Sequence, residues 1–396
     1  MIDGQRDNPG RPLRIVHLIT RLLNAGAEEN TLATCLHQVR AGHQVWLVHG
    51  DEFNPAWYDT LPPALTLVRM DEMVHAIRPG RDLAALRALR RLYAQLRPDV
   101  IHTHQSKAGI LGRLAAFGSG IPAVVHTVHI APFLNVGTAQ RLFYVAAEKL
   151  CALGTDSLIN VSEGMRDACL DHGVGRPDRH SVIESGMNIQ RFRDAAPPSD
   201  WRGRIGGWSR EARPFFVLML AAFEPRKRQE PFLTAMAPVL RAHPDLCILF
   251  AGAGARLEAA RALATDLGVA DQVRFMGHDP KADELIALSD LCVLTSAREG
   301  LPRVVVQYLA GGRPVVLNDL PGIGRLIRDG ENGRIAAADD MDGVARLIAD
   351  LVADPAALAA LRAGAQASDV EPWAEERMGV AIEAVYRDIL RRKGRS

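Results

Sequence analysis

The chain has 396 residues, of which 48% are hydrophobic and 23% are charged, with 47 basic side chains against 46 acidic ones. This is the composition of an ordinary soluble globular protein, and the length makes two domains the natural expectation. A net charge of +1 gives no general attraction to nucleic acid, and the absence of any repeat or low-complexity run excludes a solenoid.

The cysteines and the first residues indicate where the protein works. None of the five cysteines has Cys-x-x-Cys spacing, so we expect buried free thiols in a reducing cytosol rather than disulfides or a zinc site. The opening sequence MIDGQRDNPGRP has no apolar core and predicts no signal peptide. No apolar run reaches the roughly 18 residues that span a bilayer. We therefore expect a cytoplasmic protein, with peripheral contact at the inner face of the cell membrane still permitted.

The first half of the chain alternates strand patterns with helix patterns. Apolar runs at 13–19 and 44–48 predict buried parallel strands, and the turn at 24–27 between them opens a helix. Residues 82–96 predict an amphipathic helix. Its polar face carries four arginines, which are either solvated or in contact with anionic lipid: Arg87, Arg90, Arg91 and Arg97.

Two further strands are predicted at 98–104 and 123–129. The second ends in His129, whereas His126 lies three residues earlier and projects from the opposite face, where a structural role is favoured. Residues 195–213 are rich in proline, glycine and arginine without periodicity, which predicts a linker.

The second half repeats the alternation. Strands are predicted at 215–221, 246–251, 273–278, 291–294 and 314–317, and a helix at 373–392 is expected to cross back to the first domain. The whole pattern predicts an α/β protein with two doubly wound parallel sheets. The expected domains are 12–194 together with about 373–396, the linker 195–213, and 214–372.

The most informative stretch is residues 297–316. Glu299 stands on a Gly/Pro loop directly after an apolar strand, and a helix follows until Gly311 and Gly312 end it. The unpaired N–H groups and the dipole at such a helix N-terminus favour a bound phosphate. Gln307, about two helical turns after Glu299, is spaced to face the same crevice.

The stretch EGLPRVVVQYLAGGRPVV at 299–316 resembles the signature of retaining family-4 glycosyltransferases. In addition, THQSKAGILGRLAA at 103–116 and VVHTVH at 124–129 are similar to bacterial surface-polysaccharide members of that family. The resemblance covers nearly the whole chain. It implies the GT-B fold, in which two Rossmann-like doubly wound domains face a central cleft.

The resemblance also implies the reaction. A sugar would move from a UDP- or GDP-sugar donor, with retention and without a cofactor or metal, to a saccharide or lipid-linked saccharide acceptor in cell-envelope polysaccharide or glycoconjugate synthesis. A departing nucleoside diphosphate needs positive charge near it when no metal is present, and Lys227 matches the family's phosphate-binding lysine. Arg226 or Arg228 would supply further positive charge from a shifted position, and we assign Arg226 to assist Lys227. The alternative is that this basic loop is simply solvated.

The same resemblance assigns the sugar contacts. Glu299 would hold hydroxyls of the donor sugar. His129 would donate a hydrogen bond to the same sugar from the other domain, and the alternative for His129 is a purely structural role. Gln307 would bind the ribose hydroxyls. The remaining residues expected to contact the donor are Gly26, His278 beside the base, and the loop residues Gly300, Leu301 and Pro302. For Gly26 the alternative is a tight turn with no role in binding.

Three positions depart from the family pattern, namely Ala25, Ala222 and Gln307, where the family has glycine, arginine and glutamate. All three lie on the expected donor side. A degenerate glycosyltransferase that acts through a partner protein is therefore an alternative, and a nucleotide-sugar 2-epimerase on the same architecture is a third, less favoured one.

Overall fold

The structure, a computed structural model, describes residues 11–23, 26–134, 136–299 and 302–395. The chain divides into two compact units. Met1–Met187 and Trp373–Ser396 form one unit, here called the first domain, and Asn188–Pro372 form the second domain. Ala25, Gly300 and Leu301, named above, lie outside the described residues.

The first domain is built on seven parallel strands. They are β1 (Arg14–Ile19), β2 (Gln44–His49), β3 (Leu65–Arg69), β4 (Val100–His104), β5 (Ala123–Val128), β6 (Ser157–Asn160) and β7 (His180–Val182). Its helices are α1 (Gly26–Arg40), α2 (Ala56–Thr60), α3 (Pro79–Leu96), α4 (Ser106–Ala116), α5 (Thr138–Leu153), α6 (Glu163–Asp171) and, from the far end of the chain, α15 (Glu375–Arg392). The strand order is β3-β2-β1-β4-β5-β6-β7.

The second domain is built on six parallel strands. They are β8 (Phe215–Leu220), β9 (Leu246–Ala251), β10 (Val273–Gly277), β11 (Leu291–Leu294), β12 (Val315–Asn318) and β13 (Gly333–Ala336). Its helices are α7 (Ile189–Arg193), α8 (Trp201–Arg204), α9 (Gln229–Ala242), α10 (Leu257–Asp266), α11 (Ala282–Leu288), α12 (Arg303–Ala310), α13 (Met341–Ala353) and α14 (Pro355–Gln366). The strand order is β10-β9-β8-β11-β12-β13.

Both sheets have the doubly wound order, in which the chain starts in the middle, runs to one edge and then returns to build the other. The strands are apolar runs such as LCILFA in β9, which is buried throughout because helices cover both faces of a parallel sheet. The predicted α/β class with two Rossmann-like sheets is confirmed. All five cysteines are buried free thiols, as their spacing predicted.

Helix α15 completes the core of the first domain. Met378, Ile382, Tyr386 and Ile389 recur at intervals of three or four residues and so share one face of the helix, and they pack with Ile15 and other residues of the sheet. The hydroxyl of Tyr386 also enters a polar network described below. The first domain is thus made from two segments separated by the whole second domain.

The expected linker differs from the structure. Within 195–213, helix α8 packs on the second domain: Arg204 forms a bidentate pair with Asp279 at 2.6 and 2.7 Å, and Trp201 lies edge-on to Phe216. The boundary also falls at Met187 rather than at residue 194, because Asn188 caps α7 and that helix packs on α11 and α12. The segment 195–213 lacks hydrophobic periodicity because its helix is short and is held by polar contacts. It is therefore not a free linker.

No helix in the described part of the chain combines the length and the apolar character needed to cross a bilayer. In both domains the residues singled out from the sequence lie in the loops after the strands or on the helices that follow those loops, as the doubly wound fold leads one to expect.

Candidate functional site

Glu299 lies at the centre of a charged cluster in the second domain. It follows β11, and its side chain is 12% exposed. One carboxylate oxygen accepts hydrogen bonds from Ser296 Oγ at 2.6 Å and from Lys227 Nζ. The other accepts from Arg226 Nη1 at 3.4 Å. The two cations predicted to bind a diphosphate are therefore held by the carboxylate predicted to bind the sugar.

Backbone contacts fix the loop after β8 to the loop after β11. Ala297 N donates to Arg226 O at 2.7 Å, and Thr295 Oγ1 donates to Lys227 O at 2.9 Å. Because β8 and β11 are neighbours in the sheet, these bonds hold the bases of the Lys227 and Glu299 side chains at a set separation.

The cluster borders a crevice of about 520 Å³ at the carboxyl ends of the strands, a volume within the range of small-molecule sites. The crevice brings together Lys227, His278, Glu299, Pro302 and Gln307, all of which the sequence predicted. Arg226 does not line it but reaches Glu299 from beside it. The other lining residues are Leu220, Ala221, Ala222, Ala251, Gly252, Ala253, Asp279, Ala282, Arg303 and Val304.

The wall formed by the loop after β9 depends on glycine. Gly252 has φ +153°, and a Cβ added there would lie 2.0 Å from the carbonyl oxygen of Ala221. No other residue type fits so close to the backbone. Gly252 therefore lets the loop after β9 pack directly against the backbone of the loop after β8, and this contact shapes the wall of the crevice.

Arg303 is a site residue that the sequence analysis missed. It is the first residue of α12 and lines the crevice, where the helix N-terminus adds positive potential. Its position directly after Glu-Gly-Leu-Pro was the available signal. Arg228, by contrast, pairs with Asp339 and does not line the crevice.

In the first domain, His129 follows β5 and is half-buried, and its Nε2 lies 3.2 Å from Nδ1 of His104. His126 is buried on the opposite face of the sheet, where its Nδ1 lies 2.9 Å from Thr103 Oγ1. Gly26 is the exposed first residue of α1. His129 and Gly26 belong to the first domain, whereas the crevice and its lining residues belong to the second.

His17, His102 and His104 are fully buried, with ring nitrogens within 4.8 Å of one another, a spacing at which imidazoles can hold a metal ion. Each of their ring nitrogens, however, also has a hydrogen-bond partner in the protein. The described geometry is therefore that of a hydrogen-bonded network. Burial lowers the pKa of His17 to about 4 and keeps those of His102 and His104 well below 6.5, so all three rings are neutral near pH 7.

Gln105, directly after β4, is a second residue that the sequence analysis missed. Its φ of +59° is rare for a residue other than glycine and costs free energy. In this conformation its side-chain oxygen accepts hydrogen bonds from the backbone N–H of Thr20 and Arg21, at 3.1 and 3.2 Å. Its Nε2 donates to Glu28 at 2.9 Å. No local pattern signals this arrangement, because its partners are distant in sequence.

Glu28, in the first turn of α1, is 2% exposed, and its second carboxylate oxygen has no hydrogen-bond partner among the described residues. A buried carboxylate oxygen without a partner is costly, and a catalytic role or a bound water or ion can account for such a group. Gln105 and Glu28 thus mark the strand ends near β1 and β4 as a polar site of the first domain.

Comparison with known proteins agrees with this geometry. Residues 207–368 match the family described as Glycosyl transferases group 1, and residues 25–186 match the Glycosyl transferase 4-like domain. A protein named as a glycosyltransferase, EpsD of Bacillus subtilis, is 32% identical over 285 residues, which are 69% of this chain and 73% of that protein. An Escherichia coli UDP-Gal:alpha-D-GlcNAc-diphosphoundecaprenol alpha-1,3-galactosyltransferase is 27% identical over 66% of this chain and 68% of its own length.

Solved structures share the fold. A glycosyltransferase from Rickettsia africae superposes with a TM-score of 0.80 at 16% identity, covering 96% of this chain and 99% of that one. Anabaena HepE, solved in complex with UDP-glucose, superposes with a TM-score of 0.75 at 21% identity, covering 95% of this chain and 100% of its own. The chain is a glycosyltransferase of group 1 with the two Rossmann-like domains of the GT-B fold.

Proposed function

We propose that the protein is a retaining, metal-independent hexosyltransferase that uses a UDP- or GDP-sugar. The observation that carries this proposal is the cluster of Glu299, Lys227 and Arg226 at the mouth of the crevice. It offers two cations to a diphosphate and one carboxylate to a sugar within a single small volume. The resident Lys227–Glu299 pair keeps both groups partnered until a donor binds.

Donor binding would exchange partners within this cluster. The diphosphate brings negative charge to Lys227 and Arg226, which weakens their hold on Glu299. Glu299 would then accept hydrogen bonds from sugar hydroxyls, with Ser296 still holding one of its oxygens. Lys227, Arg226 and the N-terminus of α12 would stabilise the charge that develops on the leaving diphosphate, the principal requirement of the reaction.

The proposed retention of configuration rests on the likeness of residues 299–316 to the retaining family-4 signature, and the carboxylates of the crevice bear on which group takes the acceptor's proton. Among the described residues that line the crevice, only Glu299 and Asp279 carry one. Asp279 is held by the bidentate pair with Arg204, and its side chain is only 6% exposed. Among the described residues that line the crevice, no second free carboxylate is thus offered to act as an acid or base, and the mechanism we propose has the leaving phosphate take the acceptor's proton. His129 would hold the sugar from the first domain.

The experiment measures release of nucleoside diphosphate from UDP- and GDP-hexoses, with and without lipid-diphosphate-linked saccharide acceptors. We expect acceptor-dependent release with one donor, reduced at least about 100-fold by Lys227→Ala, in line with the loss of a preorganised charge from a transition state. Arg228→Ala is the matched control, because it removes the neighbouring cation that pairs with Asp339 outside the crevice. Equal activity in all three proteins would overturn the assignment.

Two features support the alternative of a degenerate transferase. Ala222 and Gln307 both line the crevice, so two of the departures from the family pattern lie directly in it. In that case a nucleotide-sugar would bind without release of nucleoside diphosphate. An epimerase would instead convert one nucleotide-sugar into another with the diphosphate linkage intact, which chromatography of the same reaction mixtures detects.

We further propose that the first domain contacts an anionic membrane, which would give access to a lipid-linked acceptor. Helix α5 exposes a stripe of large apolar side chains, each more than half exposed: Leu142, Phe143, Leu150 and Leu153. Such a stripe on an otherwise polar surface is typical of a helix that lies in a bilayer interface. The basic face of α3 alone, as noted from its sequence, is a weaker argument.

Charge next to the stripe favours a bilayer as its occupant. The ring of Phe117, 58% exposed, lies against Gly154 at the end of α5. Phe117 also borders a cavity of about 800 Å³ that contains Arg90, Arg97 and Arg395. Apolar groups beside a cluster of arginines complement acyl chains beside anionic headgroups.

Sedimentation with vesicles tests the surface. We expect the protein to bind vesicles containing anionic phosphatidylglycerol more tightly than vesicles of phosphatidylcholine, and expect Phe143→Ser to weaken that binding. Val380→Ser is the control, because Val380 is similarly exposed, at 60%, but lies on another helix, α15. The proposal would be contradicted if Phe143→Ser bound anionic vesicles as tightly as the unaltered protein, or if both variants lost the same amount of affinity.

A further inference from the structure

We propose that a cavity at the amino ends of β4 and β5 is a binding site for a phosphate ester. Arg90, Arg97 and Arg395 line this cavity, whose volume is about 800 Å³. The site does not depend on the proposed sugar transfer, whereas a lipid as the carrier of the phosphate rests on the proposed contact with a membrane.

The cavity lies at the edge of the sheet opposite the loops proposed to take part in sugar transfer. Its walls are the end of α3, residues 98–99 directly before β4, and residues 117–122 directly before β5. Gln105 and His129 instead follow β4 and β5. Because these two strands are parallel, their amino ends meet at one edge and their carboxyl ends at the other. A ligand in the cavity would therefore occupy a separate site of the first domain.

The three arginines bring positive charge that nothing in the described part of the chain neutralises. None of their side chains forms a hydrogen bond or an ion pair with another described residue. Asp99, the one carboxylate among the described lining residues, is already bound. Arg11 donates to its two oxygens at 2.6 and 3.1 Å, and the backbone N–H of Arg14 donates at 2.8 Å. Like charges that are brought together repel, so an anion that joins them gains free energy.

The backbone of Arg97 also indicates a ligand site. Arg97 ends α3 with φ +43° and ψ +58°, the left-handed conformation in which helices commonly end on glycine. Gly118 and Gly120, which line the same cavity, have positive φ angles of +73° and +74° and are glycine. An arginine in this conformation costs free energy, and residues held at such a cost are concentrated at functional sites.

A phosphate ester is the anion that fits this arrangement. A guanidinium group is planar and donates two parallel hydrogen bonds to phosphate oxygens. The volume of the cavity falls within the range of small-molecule sites. Its lining also includes the apolar Phe117, Ile121 and Pro122, which would contact a carbon group next to the phosphate. A glycerophosphate group has both parts, whether it is free or is the headgroup of an anionic lipid.

Calorimetric titration of the full chain tests the site with two soluble probes. They are glycerol phosphate, and dihexanoylphosphatidylglycerol below the concentration at which it forms micelles. We expect saturable binding that Lys227→Ala leaves unchanged, because Lys227 lines the crevice of the second domain and not this cavity. No saturable binding of either probe, or loss of binding in Lys227→Ala, would overturn the proposal.

Arg97→Gly is the decisive variant. Glycine adopts φ +43° without strain, so the variant should fold, while one cation of the cavity is lost. We expect at least about tenfold weaker binding of the probes, the loss typical of a charge-assisted hydrogen bond. Arg228→Gly is the matched control, because Arg228 has a similar φ of +58° but pairs with Asp339 in the second domain. Unchanged affinity in Arg97→Gly, or an equal loss in Arg228→Gly, would contradict the assignment.

Two neighbouring arginines of α3 provide a second comparison. Arg90 lines the cavity, whereas Arg91 is exposed and is not among the described lining residues. We expect Arg90→Gln to weaken binding of both probes and Arg91→Gln to leave it unchanged. Equal losses in the two variants would assign the effect to the general charge of the helix and overturn the site.

The relative affinity of the two probes identifies the carrier of the phosphate. Tighter binding of dihexanoylphosphatidylglycerol assigns the site to a lipid headgroup, and equal binding assigns it to a soluble ester; both results retain the phosphate site. Sugar transfer to a water-soluble acceptor is an independent readout, which Arg97→Gly should leave unchanged. A fall in transfer as large as the loss of binding would mean that the variant disturbs the whole domain, and would contradict the assignment. Lack of turnover with every nucleotide-sugar would instead remove the proposed function and leave the titrations as expected.

Discussion

Lys227 and Glu299 form an ion pair across the loops that follow two neighbouring strands, β8 and β11, and each side chain is only 12% exposed. A phosphate and a sugar hydroxyl would therefore compete with an existing internal partner rather than with water. The first prediction follows from this competition.

Glu299→Gln should affect nucleoside diphosphate and nucleotide-sugar in opposite directions. Loss of the carboxylate charge releases Lys227 and Arg226 for a phosphate, so we expect UDP or GDP to bind roughly fivefold more tightly, about 1 kcal/mol. We expect the rate of sugar transfer to fall, because the hydroxyls of the donor sugar lose the charged carboxylate that would accept their hydrogen bonds. Calorimetric titration and the release assay measure the two effects, and weaker binding of the diphosphate would refute the competition.

Gln307→Glu should strengthen donor binding. Gln307 lines the crevice, and a carboxylate there would accept both ribose hydroxyls with charge assistance, which favours binding by roughly 1–2 kcal/mol. The control Gln44→Glu adds the same charge at an exposed position on β2. A thermal-shift titration with the preferred nucleotide-sugar should show a gain for Gln307→Glu alone, and a loss would mean that Gln307 does not meet the ribose.

Gly252→Ala should destabilise the second domain and damage the crevice. The added Cβ would lie 2.0 Å from the carbonyl oxygen of Ala221, so the backbone must shift, at a cost of roughly 2–3 kcal/mol. Gly268→Ala is the control that separates steric crowding from backbone conformation. Gly268 also has a positive φ, +68°, but nothing lies within 4 Å of a Cβ added there. Urea unfolding should show a clearly smaller loss for Gly268→Ala, and equal losses would exclude the steric argument.

The stability of the first domain should fall with pH below about 6.5. Burial lowers the pKa of His17 from 6.5 to about 4, so between these values the unfolded chain binds more protons than the folded one. The stabilisation is complete above pH 6.5 and is lost as the pH falls towards 4, by on the order of 3 kcal/mol for His17 alone. Stability unchanged between pH 7 and 5 would contradict this.

Urea unfolding at several pH values measures that dependence. His17→Asn should reduce it, since the titrating group is gone. His75→Asn should leave it as it is, because His75 is exposed. A reduction of equal size in both variants would assign the effect to histidines in general rather than to the buried one.

The sequence predicted what depends on local patterns. Apolar runs broken by glycine turns gave the strands. Glu299 and Lys227 were placed after strand ends and Gln307 on the following helix, and the structure has all three lining one crevice. Gln105 and the hydrogen-bonded histidines were not predicted. Their partners lie far apart in the chain, as with Tyr386 and His102, and no local pattern records which side chains meet across a sheet.

The position of α15 has a consequence for biosynthesis. The ribosome makes this helix only after the entire second domain, yet its Met378, Ile382 and Tyr386 fill the core under β1 and β4. The second domain can therefore finish folding on the nascent chain while the first still exposes an apolar sheet face. The half of the protein that is translated first is completed last.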